Sequence, residues 1–320
     1  MIAETPAPPP SFRRRRPRFG DAGLRILAGA AAIGALLLVA LLVYKVTEEA
    51  WPSISEFGLA FLWGKEWNAV TGEFGALYLI WGTAFSSLVA IAIAAPVAIA
   101  IGLFLSELAP RSLRAPVGAL VELLAAIPSV VLGLWGIIVL GPFLQQHVEP
   151  WLADHLGFIP FFSGDPSNVG LLPAAVVLTI MIIPIVASIS RELFLSVPGE
   201  LKQGSLALGS TRWEMVRNVA IPQVSAGLVA AVILGLARAL GEAIAVSQVI
   251  GGGLSFSISV FHPADTLAGR IASQYQGSTS DLQTASLAYL AVILLVMSLI
   301  ANVAAQLIVR RIRRRMGVAH

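Results

Sequence analysis

Residues 171–190 read LLPAAVVLTIMIIPIVASIS, an apolar stretch of 20 residues without a charged side chain. At about 1.5 Å per helical residue, such a stretch is about 30 Å long, which matches the hydrocarbon thickness of a bilayer. It lacks the strict apolar–polar alternation of barrel strands. Because backbone groups in lipid must form hydrogen bonds within their own segment, we expect a membrane-spanning α-helix here.

Five further apolar stretches have the same character. The chain of 320 residues is 57% apolar and only 12% charged, too few charges to cover a soluble domain. The first stretch follows an arginine cluster, but it exceeds the about 7–15 apolar residues of a signal peptide, so we expect a permanent helix rather than an export signal. The sequence predicts an all-α membrane protein with six transmembrane helices, at approximately 24–43, 76–104, 117–142, 171–195, 223–250 and 285–309.

Positive charges are distributed unevenly over the segments between these helices. If the N-terminus is cytoplasmic, inner segments hold 17 of the 21 Lys and Arg residues, and outer segments hold only Lys45, Lys65 and Arg270. Such an excess marks cytoplasmic segments, so both termini are predicted to be cytoplasmic. It also explains the arginine clusters without nucleic-acid binding. Trp63 and Trp67 lie near outer helix ends, where they suit the membrane interface or a partner contact.

The sequence divides into three regions. Residues 1–20, which include a proline-rich run, have the composition of a disordered basic cytoplasmic tail. Residues 21–315 are expected to form the six-helix transmembrane domain, and residues 316–320 a short C-terminal tail. Without cysteine, the chain has neither disulfides nor a thiol nucleophile. No metal-ligand cluster is apparent, and we expect solvated loop or tail positions for the four histidines, His147, His155, His262 and His320.

The longest inner loop, residues 196–222, predicts two short helices separated by a turn. A helix over Glu200–Leu208 should stop at Gly209, which is a favourable C-terminal cap. Thr211 and Glu214 have the spacing of a capping box, so a second helix should begin after Thr211. A helix–glycine–helix projection suits docking into a cleft on a soluble partner, although an ordinary amphipathic connector would show a similar pattern.

This loop resembles that of the binding-protein-dependent ABC permeases. Their loops carry Glu-Ala-Ala, three residues, Gly, nine residues and Ile-x-Leu-Pro. The spacing, the glycine, the aliphatic residues and the proline are present here, whereas the Glu-Ala-Ala start is replaced. The resemblance implies that seven residues take part in contact with an ATPase: Gln203, Gly204, Ser205, Gly209, Val219, Ile221 and Pro222.

Charged residues also occur within the predicted helices. Arg238 lies near the middle of the fifth, and Glu242 follows one helical turn later, where it can pair with Arg238. The pair is either a structural link between helices or part of an anion path, in which the guanidinium offers a planar fork of donors to phosphate-like oxygens. Glu122 suits a structural role at the interface or beside an inner arginine. Pro128 and Pro184 are positions where helices can kink.

Four stretches are similar to the C-type membrane subunits of Pst phosphate-specific ABC transporters. They are 61–67 (FLWGKEW), 103–110 (LFLSELAP), 125–136 (AAIPSVVLGLWG) and 238–246 (RALGEAIAV). The similarity extends from about residue 20 to 315. It implies a type I ABC importer permease fold in the cytoplasmic membrane of a prokaryote, and a path for inorganic phosphate that includes Arg238 and Glu242.

The resemblance also implies three partners: a second, PstA-type permease, two copies of a PstB-type ATPase and an external PstS-type phosphate-binding protein. The chain itself lacks the Gly-x-x-x-x-Gly-Lys-Ser/Thr phosphate loop, so we expect ATP to be used by the partner and no cofactor in this chain. Other classes remain open at this point. A secondary anion transporter would need no ATPase, a membrane scaffold would transport nothing, and a sulfate or other oxyanion permease would share the architecture.

Overall fold

The computed structural model describes residues 19–253 and 257–315, with side chains from 23 to 253 and from 257 to 311. The described part is almost entirely helical, with one short antiparallel hairpin of β1 (Trp67–Asn68) and β2 (Glu73–Phe74). The α-helices in chain order are α1 (Phe19–Phe57), α2 (Leu77–Leu103), α3 (Arg111–Ala126), α4 (Ser129–Trp135), α5 (Gly141–Phe143), α6 (Glu149–Leu156), α7 (Leu171–Leu195), α8 (Gly199–Ala207), α9 (Arg212–Met215), α10 (Ile221–Gly241), α11 (Ile244–Val249), α12 (Leu267–Gln274) and α13 (Asp281–Arg315).

Single π-helical turns extend or join several of these helices, at Phe104–Leu108, Gly136–Leu140, Leu144–Val148 and Val216–Ala220. Short 3₁₀ segments lie at Gly58–Leu62, Pro160–Phe162 and Tyr275–Gly277. Within the described residues, six helical segments are long and apolar enough to cross a membrane, which confirms the predicted number. They are Gly23–Leu62, Leu77–Leu108, Ser129–Leu156, Leu171–Leu195, Arg212–Gly241 and Asp281–Arg311.

Three predicted spans have wrong boundaries. The helix of the first, expected at 24–43, continues to Phe57. The span expected at 117–142 is interrupted at Ile127 and Pro128, whose ψ angles of 126° and 138° are extended. Pro128 cannot donate a backbone hydrogen bond and disfavours a helical residue before it, so the membrane-length helical segment begins only at Ser129. The span expected at 223–250 ends at Gly241, because Glu242 is extended with ψ 117°.

The segments that follow these two breaks pack against each other. A Cβ atom on Gly133 of α4 would lie 2.8 Å from the Cα atom of Ala245 in α11, so the two backbones are in close contact. Glu242 Oε1 also accepts the N–H of Ala245 at 3.4 Å. The N–H of Ala245 therefore has a partner within the protein, as membrane depth requires, whereas Pro128 at the other break is exposed. Pro184, in contrast, lies inside α7 without ending it.

Three residues expected in outer interfacial or loop positions are buried. Trp67 is 7% exposed, and its Nε1 donates to Gln274 Oε1 at 2.8 Å, so the interface role predicted for it is wrong. Trp63 is exposed, as expected. Glu149 belongs to α6 rather than to a loop, and its Oε2 accepts the Ser167 N–H at 2.7 Å. Arg270 is buried beside Asp265.

The chain divides into two units, residues 1–45 and 46–320. In the first unit, the described side chains from Gly23 onward are almost all exposed and mostly apolar, as a helix in contact with lipid requires. The predicted tail 1–20 falls almost wholly outside the described residues, except for the start of α1, and the predicted tail 316–320 falls entirely outside them.

The core of the second unit is built around α2, α7 and α10. Small residues let these helices approach closely: a Cβ on Gly102 of α2 would lie 2.7 Å from Ser190 Cβ in α7, and one on Gly235 of α10 would lie 2.8 Å from an Ile182 methyl in α7. Without a hydrophobic driving force in lipid, such close contact is a main source of helix association. A second cluster includes Phe61, which stacks on Tyr289 at 4.5 Å between ring centroids.

At Gly82, α2 lies so close to the backbone of Asp265 that one added methyl group should destabilise the protein. A Cβ there would lie 2.1 Å from the Asp265 carbonyl oxygen, so Gly82→Ala must push α2 away from the segment that precedes α12. We expect the variant to lose about 1–3 kcal/mol of stability, the usual cost of overpacking. Thermal unfolding in detergent, followed by size-exclusion chromatography, measures this loss.

Gly34→Ala is the matched control, because a Cβ at Gly34 meets nothing within 4 Å. The control should unfold at the parental temperature or slightly above it, since alanine favours the helix by up to about 1 kcal/mol over glycine. Equal stability of the two variants would contradict the close packing of Gly82.

Candidate functional site

The loop 196–222 contains the predicted helix, glycine turn and second helix start, in a segment that we call the knob (residues 199–215). The second helix is not short, however: it continues through a π-helical turn into α10 and belongs to the membrane-length segment Arg212–Gly241. α8 ends before Gly209, whose φ of +90° lies in the left-handed region that favours glycine. Thr211 then begins α9 with a complete capping box: its backbone N–H and its hydroxyl both donate to Glu214 Oε2, and its hydroxyl oxygen accepts the Glu214 N–H. The turn is therefore fixed by local hydrogen bonds.

The knob presents large apolar side chains in exposed positions, among exposed polar residues. Leu208 is 91% exposed and Trp213 is 64% exposed, on either side of the glycine turn. Large apolar side chains in such positions are typical of a protein–protein contact. Of the seven residues predicted to take part, Gln203, Gly204 and Gly209 are exposed, and the other four are partly buried: Ser205, Val219, Ile221 and Pro222.

The base of the knob is joined to the helix bundle by a separate apolar cluster. Phe194 at the end of α7 is fully buried, together with Met215 and Val216, which follow the capping box. Ile99 and Leu103 of α2 pack against the same cluster. The second half of the knob thus continues directly into α10 and is held by the bundle core, so a displacement of the knob displaces these helices.

Arg238 and Glu242 are brought together at the break after α10. Arg238 Nη2 lies 3.8 Å from Glu242 Oε2, with the arginine side chain 43% exposed and the glutamate side chain 9% exposed. The two residues pair as predicted, but they do not lie on one continuous helix, and Arg238 is in the last turn of α10 rather than near the middle of the fifth span. Glu242 instead occupies the unwound segment, and part of the guanidinium remains open to a further anionic contact.

Glu122 lies in α3, and its Oε1 is 3.8 Å from Arg191 Nη1 near the end of α7. The structure thus agrees with the expected pairing with an inner arginine. Because the glutamate side chain is 69% exposed, the pair contributes little to stability.

Two other ion pairs could not be predicted from the sequence. The residues of the first pair are distant in the chain, and those of the second were expected in an outer loop. Lys202 of α8 contacts Glu107 at 2.6 Å. Arg270 Nε lies 2.7 Å from Asp265 Oδ2, with both side chains 6% exposed. Burial raises the pKa of Asp265, while the neighbouring Arg270 cation opposes that rise. Arg270 Nη2 has no hydrogen-bond partner among the described residues, although the guanidinium lies 5.9 Å from the centre of the Trp67 ring.

Among the side chains that the structure describes, no group of three or more His, Asp or Glu is arranged to hold a metal ion. The candidate site therefore consists of the knob, the Arg238–Glu242 pair and the helices between them. Arg238 lies 16 residues after Pro222, which corresponds to about 24 Å along α10.

Comparison with known proteins shows the same architecture. The family model "Binding-protein-dependent transport system inner membrane component" matches residues 98–314. A phosphate transport system permease protein PstC from Mesorhizobium japonicum is 42% identical over 95% of this chain and 94% of its own length. PstC of Pasteurella multocida is 40% identical over 89% of this chain and 90% of its own length. PstC 1 of Mycobacterium tuberculosis is 38% identical, covering 92% and 95% respectively.

Two solved structures share the fold at lower identity. A chain of the MetNI methionine ABC transporter in an inward-facing conformation aligns with a TM-score of 0.53 and 23% identity, over 74% of this chain and 97% of that one. A chain of a bacterial alginate ABC transporter, in complex with its alginate-bound periplasmic protein, aligns with a TM-score of 0.58 and 16% identity, over 91% and 98%. The fold is that of type I ABC importer permeases.

The buried Asp265–Arg270 pair predicts a pronounced difference between single and double substitutions. Asp265→Ala leaves a buried cation without its partner, and we expect it to cost about 3–5 kcal/mol. Asp265→Ala combined with Arg270→Met removes both charges and should recover much of this loss. Thermal unfolding of the purified protein in detergent compares the two variants.

Glu122→Ala serves as the control, because it breaks a largely exposed pair and should cost at most about 1 kcal/mol. A double variant no more stable than Asp265→Ala alone would show that the ion pair is not the relevant interaction.

Proposed function

This chain belongs to the family of binding-protein-dependent transport system inner membrane components, and we propose that it is the permease subunit of an ATP-driven importer of inorganic phosphate. It is a multi-pass protein of a bacterial inner membrane. The substrate assignment is supported by relatives of 38–42% identity over almost the whole chain that are phosphate transport permeases.

The observation that carries the proposal is the knob. A glycine turn with a complete capping box projects Leu208 and Trp213 away from the bundle, while its base continues into α10. This geometry suits a cleft on a soluble motor subunit better than contact with lipid headgroups, because both sides of the turn are fixed and apolar. A secondary transporter would have no need for such a contact.

The energy source in this proposal is a separate subunit. The sequence has no phosphate loop, so ATP is bound and hydrolysed by two copies of a PstB-type ATPase, and this chain needs no cofactor of its own. A PstA-type permease supplies the other half of the translocation pathway, and a PstS-type protein delivers phosphate from outside. The excess of Lys and Arg on the knob side supports a cytoplasmic location for the knob and both termini.

Transport is proposed to proceed by alternating access. Closure of the ATPase pair around ATP moves the knob, and α10 carries that motion about 24 Å to the Arg238–Glu242 break. The guanidinium of Arg238 offers planar donors to a phosphate oxygen. Glu242 holds the guanidinium in the resting arrangement and releases it when the path opens, so that phosphate replaces a carboxylate as its partner.

A vesicle assay tests this proposal. Vesicles that contain the chain and its copurified partners should accumulate labelled phosphate only when ATP is supplied, and an excess of sulfate should not compete. Arg238→Ala should lower uptake about tenfold or more, since a charge-assisted contact contributes about 1.5–3 kcal/mol. The ATPase should still copurify with that variant. Arg310→Ala removes an exposed arginine near the end of α13. This variant is the matched control and should transport normally.

Three outcomes would contradict parts of this account. Normal phosphate accumulation by Arg238→Ala would remove Arg238 from the pathway. Transport of sulfate in place of phosphate would keep the architecture and change the substrate. Uptake driven by an ion gradient without ATP would overturn the ABC importer assignment itself.

A further inference from the structure

The first helix of the knob, α8, is not held to the bundle by buried side chains. None of its residues is buried, in contrast to the second half of the knob, whose last residue, Met215, lies in the apolar cluster together with the following Val216. Leu201 and Leu206 are 47% and 40% exposed, so apolar packing does not hold α8 in place. A displacement of α8 must therefore reach the helix bundle by a route other than apolar packing of α8.

One polar contact joins α8 to two helices of the core. Lys202 Nζ lies 2.6 Å from Glu107 Oε1, in the π-helical turn that continues α2. The same ammonium donates to the carbonyl oxygen of Phe194, in the last turn of α7, at 2.9 Å. The lysine and glutamate side chains are only 16% and 11% exposed. A cation at the C-terminal end of a helix also interacts favourably with the helix dipole.

The two helices that Lys202 joins, α2 and α7, both contact α10 close to Arg238. α2 and α7 are in close contact at Gly102, and both reach α10 at Gly235, where a Cβ would meet Ile182 and Val186 of α7 and lie 3.2 Å from Ile91 of α2. Gly235 is one helical turn before Arg238. A displacement of α2 and α7 therefore reaches the same part of α10 that the second half of the knob moves directly.

We propose that the Lys202–Glu107 ion pair is a positioning contact that makes α8, α2 and the end of α7 move together, so that ATPase motion at the first half of the knob is passed to the translocation helices. The inference rests on the proposed function, because it assigns a coupling role within the same importer. It adds an ionic connection through Lys202 to the two that the chain itself provides: residues 196–198, which link α8 to α7, and the covalent and apolar connection through α9 and α10.

The ionic connection differs physically from the apolar one. The pair is short and largely shielded from water, so its attraction is stronger than that of an exposed pair. Loss of either partner leaves the other charge partly buried and frees α8 to move without α2. The ATPase would then hydrolyse ATP with less movement of the translocation helices, and transport per ATP would fall.

The test measures phosphate transported per ATP hydrolysed by the complete complex in proteoliposomes, with labelled inorganic phosphate and its binding protein. Glu107→Gln and Lys202→Met should each lower this ratio about fivefold or more, the usual size of a coupling between sites. The double variant should be no worse than the poorer single variant, because the two residues act as one contact. The ATPase should copurify with every variant.

Glu122→Gln is the matched control, because it breaks another ion pair that involves α7 without touching α8, and it should leave the ratio unchanged. An unchanged ratio in Glu107→Gln and Lys202→Met would overturn the inference, as would effects that multiply in the double variant. Loss of ATPase copurification in both single variants would assign the pair to assembly and would also overturn it.

A second experiment replaces the ion pair by a removable link. The chain contains no cysteine, so Glu107→Cys and Lys202→Cys can be joined by a short cross-linker that a reductant cleaves, in a complex whose partners lack accessible cysteines. The ratio should be close to parental with the link intact and should fall after reduction, and an unchanged ratio after reduction would contradict the inference. If the parental complex shows no ATP-driven phosphate uptake at all, the proposed function fails independently of this contact.

Discussion

The requirement that backbone groups in lipid be hydrogen bonded within the protein governs this structure. It makes the spans helical, and it requires the backbone groups freed at the two breaks, Ile127–Pro128 and Glu242–Ala243, to find hydrogen-bond partners within the protein. The segments after the breaks, α4 and α11, meet at Gly133, and the carboxylate of Glu242 accepts a freed N–H of α11. The unwound backbone is thus compensated by a side chain that also pairs with Arg238, which links the irregularity to the charge proposed for the anion path.

In the proposed mechanism, the bundle converts a contact at one end into a displacement at the other because its core helices are closely packed. Glycines at 102 and 235 remove the side chains that would separate α2, α7 and α10. The knob is joined to these helices by Phe194, Met215 and Val216 and by one ion pair. Packed interiors transmit shifts rather than absorb them, so a small movement of the knob is sufficient to alter the Arg238 region.

Much of the fold was predictable from the sequence, because six apolar stretches and a capped glycine turn are local signals. The capping box at Thr211 and the turn at Gly209 are confirmed in detail. The ends of the third and fifth spans were not predictable from hydropathy, since both breaks occur inside apolar stretches. The partners of Lys202 and Arg270, and the burial of Trp67 and Glu149, depend on contacts between distant segments, which apolar periodicity does not reveal.

In the proposed importer, the exposed tip of the knob is the contact with an ATPase on the cytoplasmic side. Because the chain has no cysteine, a photoactivatable cross-linker can be attached at Leu208→Cys alone and, for comparison, at Val70→Cys in the hairpin turn, which is 96% exposed. We expect the cross-linker at the Leu208 position to capture a subunit with a phosphate loop, and the one at the Val70 position not to capture it. Capture of that subunit only at Val70, or at neither position in an actively transporting complex, would contradict the account.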